Sequence, residues 1–374
     1  MRFRLACVEG IQPEEDTDAQ RMGTHWHALH EVYADNYAAA REDGCPEPHE
    51  AALHQVIQHL NERYADVPNF KTPEEWEIER QILATSFIGY LWYWQDDPYE
   101  VLMSEIEFKQ AMMHPRVGLP LPTSEVVRAG RIDHIIRYHG VVGNLERKST
   151  GQSIAPDSDY WRRWSKDIQI SMYALAFRTM REQGLENFGI ELQEGDRFGN
   201  TIVDIWHKPT IKPAKLTQAD TKKFIENGEY CGQEFIVSTK DEIVCVDDWR
   251  AEVIPGKKGF ALRETPGMYA ARLLADIQER PEFYFARREI PRTDDEIDRF
   301  VNTVYNLYQF GRLIEKSGCW YENESSCRDP YPCEFIPICY GAGSEAACNG
   351  GELPPGFKRT TPVTVGGREL HEPE

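Results

Sequence analysis

Gly130-Arg131-Ile132-Asp133-His134-Ile135-Ile136-Arg137-Tyr138-His139-Gly140-Val141-Val142-Gly143-Asn144-Leu145-Glu146-Arg147-Lys148 holds two strand-like runs, 127–137 and 141–148, about one turn. His139-Gly140 predicts a two-residue hairpin loop, in which Gly supplies the positive φ such loops need. That register pairs Tyr138 with Val141, Arg137 with Val142 and Asp133 with Glu146. Directly opposed residues share a sheet face, with Cβ atoms ~4.5–5.5 Å apart. Lys148, two residues past Glu146, points the same way. One face thus presents two carboxylates and an ammonium. Facing carboxylates repel unless a cation sits between them. A divalent ion that prefers hard oxygen ligands, Mg²⁺ or Mn²⁺, is the natural occupant. The competing reading is a charged strand face that simply meets water.

A helix is predicted near 160–182. Arg162, Lys166, Gln169 and Tyr173 recur along it at i, i+4, i+7 and i+11, forming one stripe. Trp164, Ile168, Met172 and Leu175 form an apolar stripe on another face. A basic, amide and phenol stripe beside a carboxylate pair suits a nucleic-acid backbone. A solvated helix face is the alternative for Arg162 and Lys166.

Helices are expected at 20–40 and 48–64. A longer one at 73–95 opens at the Thr72-Pro73-Glu74-Glu75 start signal. Strands are expected at 101–109, 187–193, 201–207, 233–239 and 283–287, with helices at 216–227, 266–279 and 293–316. The pattern is that of a mixed α/β chain built around a central β segment. The division expected is a single domain over 1–348, comprising a helical part (1–98), a core (99–210) and an accessory, Cys-rich part (211–348). Residues 349–374, rich in Gly, Pro and charge, are expected to be disordered.

The chain has 374 residues, with 41% hydrophobic and 28% charged, a composition typical of soluble globular proteins. No apolar run approaches the ~18–20 residues of a membrane span. The first residues lack the apolar core of a signal peptide. A cytoplasmic protein with no membrane partner is the expectation. The formal charge of −20 argues against a general nucleic-acid-binding surface, because phosphate attraction needs Lys and Arg. Residues 121–180 run the other way, with a small basic excess. A single cleft there remains compatible with an anionic ligand.

These residues carry a resemblance. Asp133, then Glu146-Arg147-Lys148, then Gln169-Ile170-Ser171-Met172-Tyr173 are similar to the PD-(D/E)XK nuclease superfamily. The Gln-x-x-x-Tyr motif points to its RecB/Cas4-like branch. Gly23-Thr24-His25-Trp26-His27 resembles the Gly-x-x-x-His helix of that branch. Asp204-Ile205-Trp206-His207-Lys208-Pro209 and Arg280-Pro281-Glu282-Phe283-Tyr284-Phe285 resemble segments of phage and prophage members. The resemblance implies a restriction-endonuclease-like α/β core, a central mixed sheet flanked by helices, and metal-dependent hydrolysis of DNA phosphodiester bonds. It implies His27, Asp133 and Glu146 as ligands of Mg²⁺ or Mn²⁺, aided by the Arg147 carbonyl. Lys148 would act on the attacking water and the phosphate, with Gln169 and Tyr173 as further catalytic residues. Arg162 and Lys166 are the candidate DNA contacts. Glu105 and Glu107 on the preceding strand are further candidate ligands.

Nine cysteines in a chain without an export signal do not read as a disulfide framework. Cys319, Cys327, Cys333, Cys339 and Cys348 crowd the last 56 residues. Their spacing is not the C-x₂₋₄-C of structural zinc sites. Iron–sulfur members of the branch hold a [4Fe–4S] cluster with three C-terminal cysteines and one N-terminal one. The resemblance thus implies Cys327, Cys333 and Cys339, with Cys319 or Cys7 as the fourth ligand. Reduced thiols holding zinc, or nothing, are the alternative.

An exonuclease of phage-type recombination or repair is the leading expectation. The other classes are a catalytically silent DNA-binding scaffold, a zinc-binding interaction module and an unrelated metal enzyme. Gly143-Asn144-Leu145-Glu146-Arg147-Lys148-Ser149 falls short of G-x-x-x-x-G-K-[ST], so a helicase or recombinase would be a separate partner.

Overall fold

The computed structural model describes residues 4–121, 127–240, 243–256, 259–318, 320, 323–328, 332–341 and 351–360. They form two compact units, neither contiguous in sequence. One comprises Arg21–Ile106 and Ile132–Pro291. The other gathers Met1–Gln20, Glu107–Arg131 and Arg292–Glu374.

The first unit is built on a mixed sheet whose main strands are β1 (Glu100–Ala111) as far as Ile106, β2 (Val127–Tyr138) from Ile132 onward, β3 (Val141–Thr150), β4 (Thr201–His207) and β5 (Phe285–Ile290), in spatial order β5-β4-β3-β2-β1. β2 and β3 form the predicted hairpin in the predicted register, from Tyr138 opposite Val141 to His134 opposite Leu145. His139 (φ 49°) and Gly140 (φ 71°) are both left-handed, as a loop matching the strand twist requires. β3 and β4 run parallel, which demands a long crossover. α4 (Asp159–Trp164) and α5 (Ile168–Gln183) supply it.

The sequence stripe from Arg162 to Tyr173 is broken here. The Asp167 carboxylate caps α5 by accepting the Ile170 N–H at 3.0 Å, so α4 and α5 are separate helices. The apolar stripe fails at Ile168, which is 56% exposed.

Alternation along β4 sorts the two sheet faces. Val203 and Ile205 meet Trp161, Trp164 and Ile170 of α4 and α5. Trp206 faces the other side, stacked on Trp26 of α1 (Asp18–Glu42) at 4.3 Å. There it joins a core with Leu83 and Phe87 of α3 (Pro73–Tyr93) and Leu273 and Ile277 of helix Pro266–Glu279. Helix α3 begins at the expected signal, with Thr72 and Glu75 in a capping box. Buried Glu79 of α3 takes a bidentate bond from Arg21 of α1 (2.8 and 2.7 Å). It also accepts from Tyr64 at the end of α2 (Pro48–Arg63), at 2.8 Å. One carboxylate thereby fixes α1 to α3, and α1 carries His27.

Other predicted elements differ in detail. The strand expected at 187–193 is replaced by a 3₁₀ turn, Leu185–Phe188, bracketed by Gly184 (φ 88°) and Gly189 (φ 77°). Residues 233–239 split into the strands Gln233–Glu234 and Val237–Lys240. Residues 283–284 close the helical turn Pro281–Tyr284, and the strand starts at Phe285.

In the second unit, strand Ile11–Pro13 pairs antiparallel with Phe357–Arg359. Thr360 donates its N–H to the Gly10 carbonyl at 2.6 Å. Beneath lie buried Leu5, Ile11, Phe335 and Ile338, against which Cys333, Cys339, Leu353 and Phe357 pack. Residues 351–360, expected to be disordered, are thus held by backbone pairing and by Phe357 against Phe335. Residues 361–374 lie outside the described residues.

Candidate active site

The hairpin delivers the predicted charges, but the strands part where the charges begin. The observed pairing stops at His134 and Leu145, one step short of Asp133 and Glu146. There the Asp133 carboxylate, through Oδ2, accepts the backbone N–H of Arg147 at 2.9 Å. A side chain has replaced a rung of the ladder, which opens a fork at the site.

Helix α1 brings His27 Nδ1 to 3.5 Å from the same Asp133 oxygen. Burial holds His27 below the ordinary histidine range, so the ring is neutral and suited to act as a ligand. Glu146 is fully buried, and one of its oxygens contacts the Lys148 ammonium. Burial, then the nearby Asp133 charge, push the Glu146 carboxyl up to about 7, against the pull of Lys148. Its second oxygen, Oε2, has no hydrogen-bond partner among the described residues.

Gln169 and Tyr173, one turn apart on α5, are joined by an amide-to-phenol hydrogen bond of 2.9 Å. Burial, and next the Glu146 charge, raise the Tyr173 phenol well above its usual range, which keeps it protonated beside the carboxylates. Asp133 and Glu105 also act on Tyr173. Glu105 has φ 48°, uncommon for a non-glycine residue. Glu107 is exposed.

A buried carboxylate without full solvation costs free energy unless it is neutralised. Two carboxylates and a neutral imidazole are the donor set for a hard divalent cation, and Mg²⁺ keeps most of its waters, needing only one or two carboxylates. The residues therefore fit Mg²⁺ or Mn²⁺. Among the described residues no three His, Cys, Asp or Glu side chains are already grouped as a metal cage.

The remaining candidates stand apart. Arg162 lies on α4 with its side chain 81% exposed, paired with Asp159 at 3.0 Å. Lys166 is exposed in the turn between α4 and α5. Cys7, Cys327, Cys333 and Cys339 all belong to the second unit. Cys333 donates its N–H to the Cys327 carbonyl at 2.9 Å, and Cys327 Sγ donates to the Asn323 carbonyl at 3.7 Å. The described thiols do not form a set of metal ligands, and Cys319 lies outside the described residues.

Sequence reasoning assigned no role to the Arg147 side chain, Asp204 or Arg287. For Asp204 the signal is a lone charge inside an apolar strand run, Ile202-Val203-Asp204-Ile205-Trp206, where burial without a partner is rare; Arg147 and Arg287, which adjoin other charges, carry no such signal.

Among the described residues no helix is long and apolar enough to cross a membrane. No curated protein matches the chain in sequence. The model of the PD-(D/E)XK nuclease superfamily matches residues 1–340, and the chain belongs to that superfamily.

Proposed function

We propose that this protein is a metal-dependent deoxyribonuclease of the RecB/Cas4-like branch, an exonuclease of phage-type recombination or repair, acting in the cytoplasm beside a separate helicase or recombinase. The observation that carries the reading is the buried Glu146 carboxylate against the Lys148 ammonium, beside an Asp133 that His27 approaches. A charged strand face turned to water would leave Glu146 exposed. DNA as the substrate is supported by the family match and by the phage-like segments around Asp204 and Arg280.

Asp133 and Glu146, with His27, would hold the cation. When bound, it supplies Lewis acidity and a water acidic enough to attack near neutral pH. Lys148 brings a positive charge to the phosphate and hydrogen bonds to the attacking water. Tyr173, kept protonated, offers a donor beside Glu146, and Gln169 holds the phenol oxygen in place. Arg162 and Lys166 contribute backbone attraction from the rim.

The Cys-rich segment is read as the holder of a [4Fe–4S] cluster on Cys327, Cys333 and Cys339, with Cys7 or Cys319 as fourth ligand. Its support is that Leu5 and Ala6, next to Cys7, share one apolar cluster with Cys333 and Cys339. Iron and sulfide content of anaerobically purified protein tests it, with neither present as the opposing result.

The deciding experiment compares wild type with Lys148→Ala on end-labelled single- and double-stranded DNA in Mg²⁺, Mn²⁺ and EDTA. Metal-dependent cleavage that proceeds from ends and falls at least ~100-fold in the variant is expected. Equal cleavage by the variant overturns the assignment. Binding of both DNAs without cleavage by wild type would make the protein a silent scaffold.

A further inference from the structure

On the sheet face behind the candidate site, three neighbouring strands carry buried charge. Strand pairing places Arg147 of β3 beside Asp204 of β4, and Asp204 beside Arg287 of β5. The three form one row across the sheet, with Arg147 only 3% exposed and Asp204 2%. Successive strand residues alternate faces, so Arg147 points away from its neighbours Glu146 and Lys148.

Two tyrosines knit the row together. Arg147 donates through Nη2 to the Tyr99 hydroxyl, which lies 3.5 Å from the Tyr90 hydroxyl. Tyr90 donates to Asp204 Oδ2 and accepts from Arg287 Nη2 at 3.0 Å. The Arg287 guanidinium is stacked over Trp94, 3.9 Å from its ring centre. The row holds two guanidinium groups against one carboxylate.

The Arg147 peptide meanwhile touches the site itself. Its N–H is the one Asp133 accepts, at 2.9 Å, and its backbone also acts on the His27 ring, which itself lies 3.5 Å from the Asp133 carboxylate. One residue therefore has its side chain clamped behind the sheet and its peptide between two candidate ligands.

Stability alone is a poor explanation for the row. Arg147 Nε, Asp204 Oδ1 and Arg287 Nε have no hydrogen-bond partner among the described residues. A partly satisfied buried ionic network is usually no more stable than apolar packing. We propose that the Arg147–Asp204–Arg287 row, linked through Tyr99 and Tyr90, makes Arg147 a positioning residue that sets the separation of Asp133 and His27 and so the affinity for the divalent cation. The inference rests on the nuclease reading and adds to it a determinant lying outside the ligands.

The test measures Mn²⁺ binding to DNA-free protein by electron paramagnetic resonance, alongside steady-state cleavage, for Arg147→Met and the milder Tyr99→Phe. Circular dichroism monitors folding. Loss of outer-shell support lowers metal affinity roughly ten- to a hundredfold. That loss is expected in Arg147→Met and a smaller one in Tyr99→Phe, with kcat reduced and the KM for DNA unchanged. Wild-type Mn²⁺ affinity in a folded Arg147→Met, or in Tyr99→Phe should the first not fold, overturns the row's role while leaving the nuclease reading intact. A wild type that neither binds Mn²⁺ nor cuts DNA overturns that reading, and this inference with it.

Discussion

The sheet unit and the end-gathering unit both place potential metal ligands, and they do so by opposite means. In the first, Glu146 and Asp133 sit at the fork of a hairpin backed by large aromatic cores on both sheet faces. In the second, Cys333 and Cys339 pack against a cluster of four buried side chains, Leu5, Ile11, Phe335 and Ile338, joined by a three-residue strand pair. A dense core can hold uncompensated charge in place, whereas a small core generally relies on a cross-link or metal for stability. The carboxylates are held by a large core on either side, whereas Cys333 and Cys339 lie against a small one.

The largest effect tests the small core. Phe335→Ala removes its biggest side chain, and truncation of a buried Phe costs ~3–5 kcal/mol. Limited proteolysis should then cut near both ends while DNA cleavage persists. Loss of cleavage in step with proteolysis would show that the two units stand or fall together.

Acid should strain the large core next. His30 is fully buried in a box of Trp26, Phe87 and Tyr90, with ring centres 4.6–5.0 Å away. Burial holds it well below its ordinary value. His134, likewise buried, is drawn down to about 2. Both are neutral when folded, and the unfolded chain takes up their protons below pH ~6.5. Stability is therefore intact above that pH and declines as pH falls toward 2, by up to ~1.4 kcal/mol per pH unit for each group. Thermal melts across pH 4–7 should show the slope, and His30→Phe should make it shallower. An unchanged slope would place the acid sensitivity elsewhere.

The smallest effect concerns the rim. Arg162 and Asp159 are both more than four-fifths exposed, and such pairs contribute ~0–1 kcal/mol. Arg162→Ala should leave the melting temperature unchanged and reduce the salt slope of DNA binding by about 1. A change in melting temperature, without one in the salt slope, would make Arg162 a structural residue.

The hairpin was legible because its information is local. A two-residue loop tolerating positive φ at both positions sets every pairing up to His134. The start of α3 was legible for the same reason, through Thr72 and Glu75. Arg162 and Lys166 do not share a stripe with Gln169 because periodicity ignores a cap, and Asp167 starts a new helix between them. The fork at Asp133 was hidden because a side chain competes there with the backbone for the Arg147 N–H. The row behind it depends on pairing between strands more than fifty residues apart, which no local pattern encodes.

The strand pair that joins Ile11–Pro13 to Phe357–Arg359 also has a meaning in time. Gly10 and Thr360 are 350 positions apart. At ~5–20 residues per second of synthesis, the first strand waits roughly 20–70 s for its partner to be made. Through that interval an unpaired strand edge and the apolar Leu5 and Ile11 stand available to other chains. The sheet unit can assemble on the ribosome, whereas the end-gathering unit closes only once Phe357–Arg359 has been made.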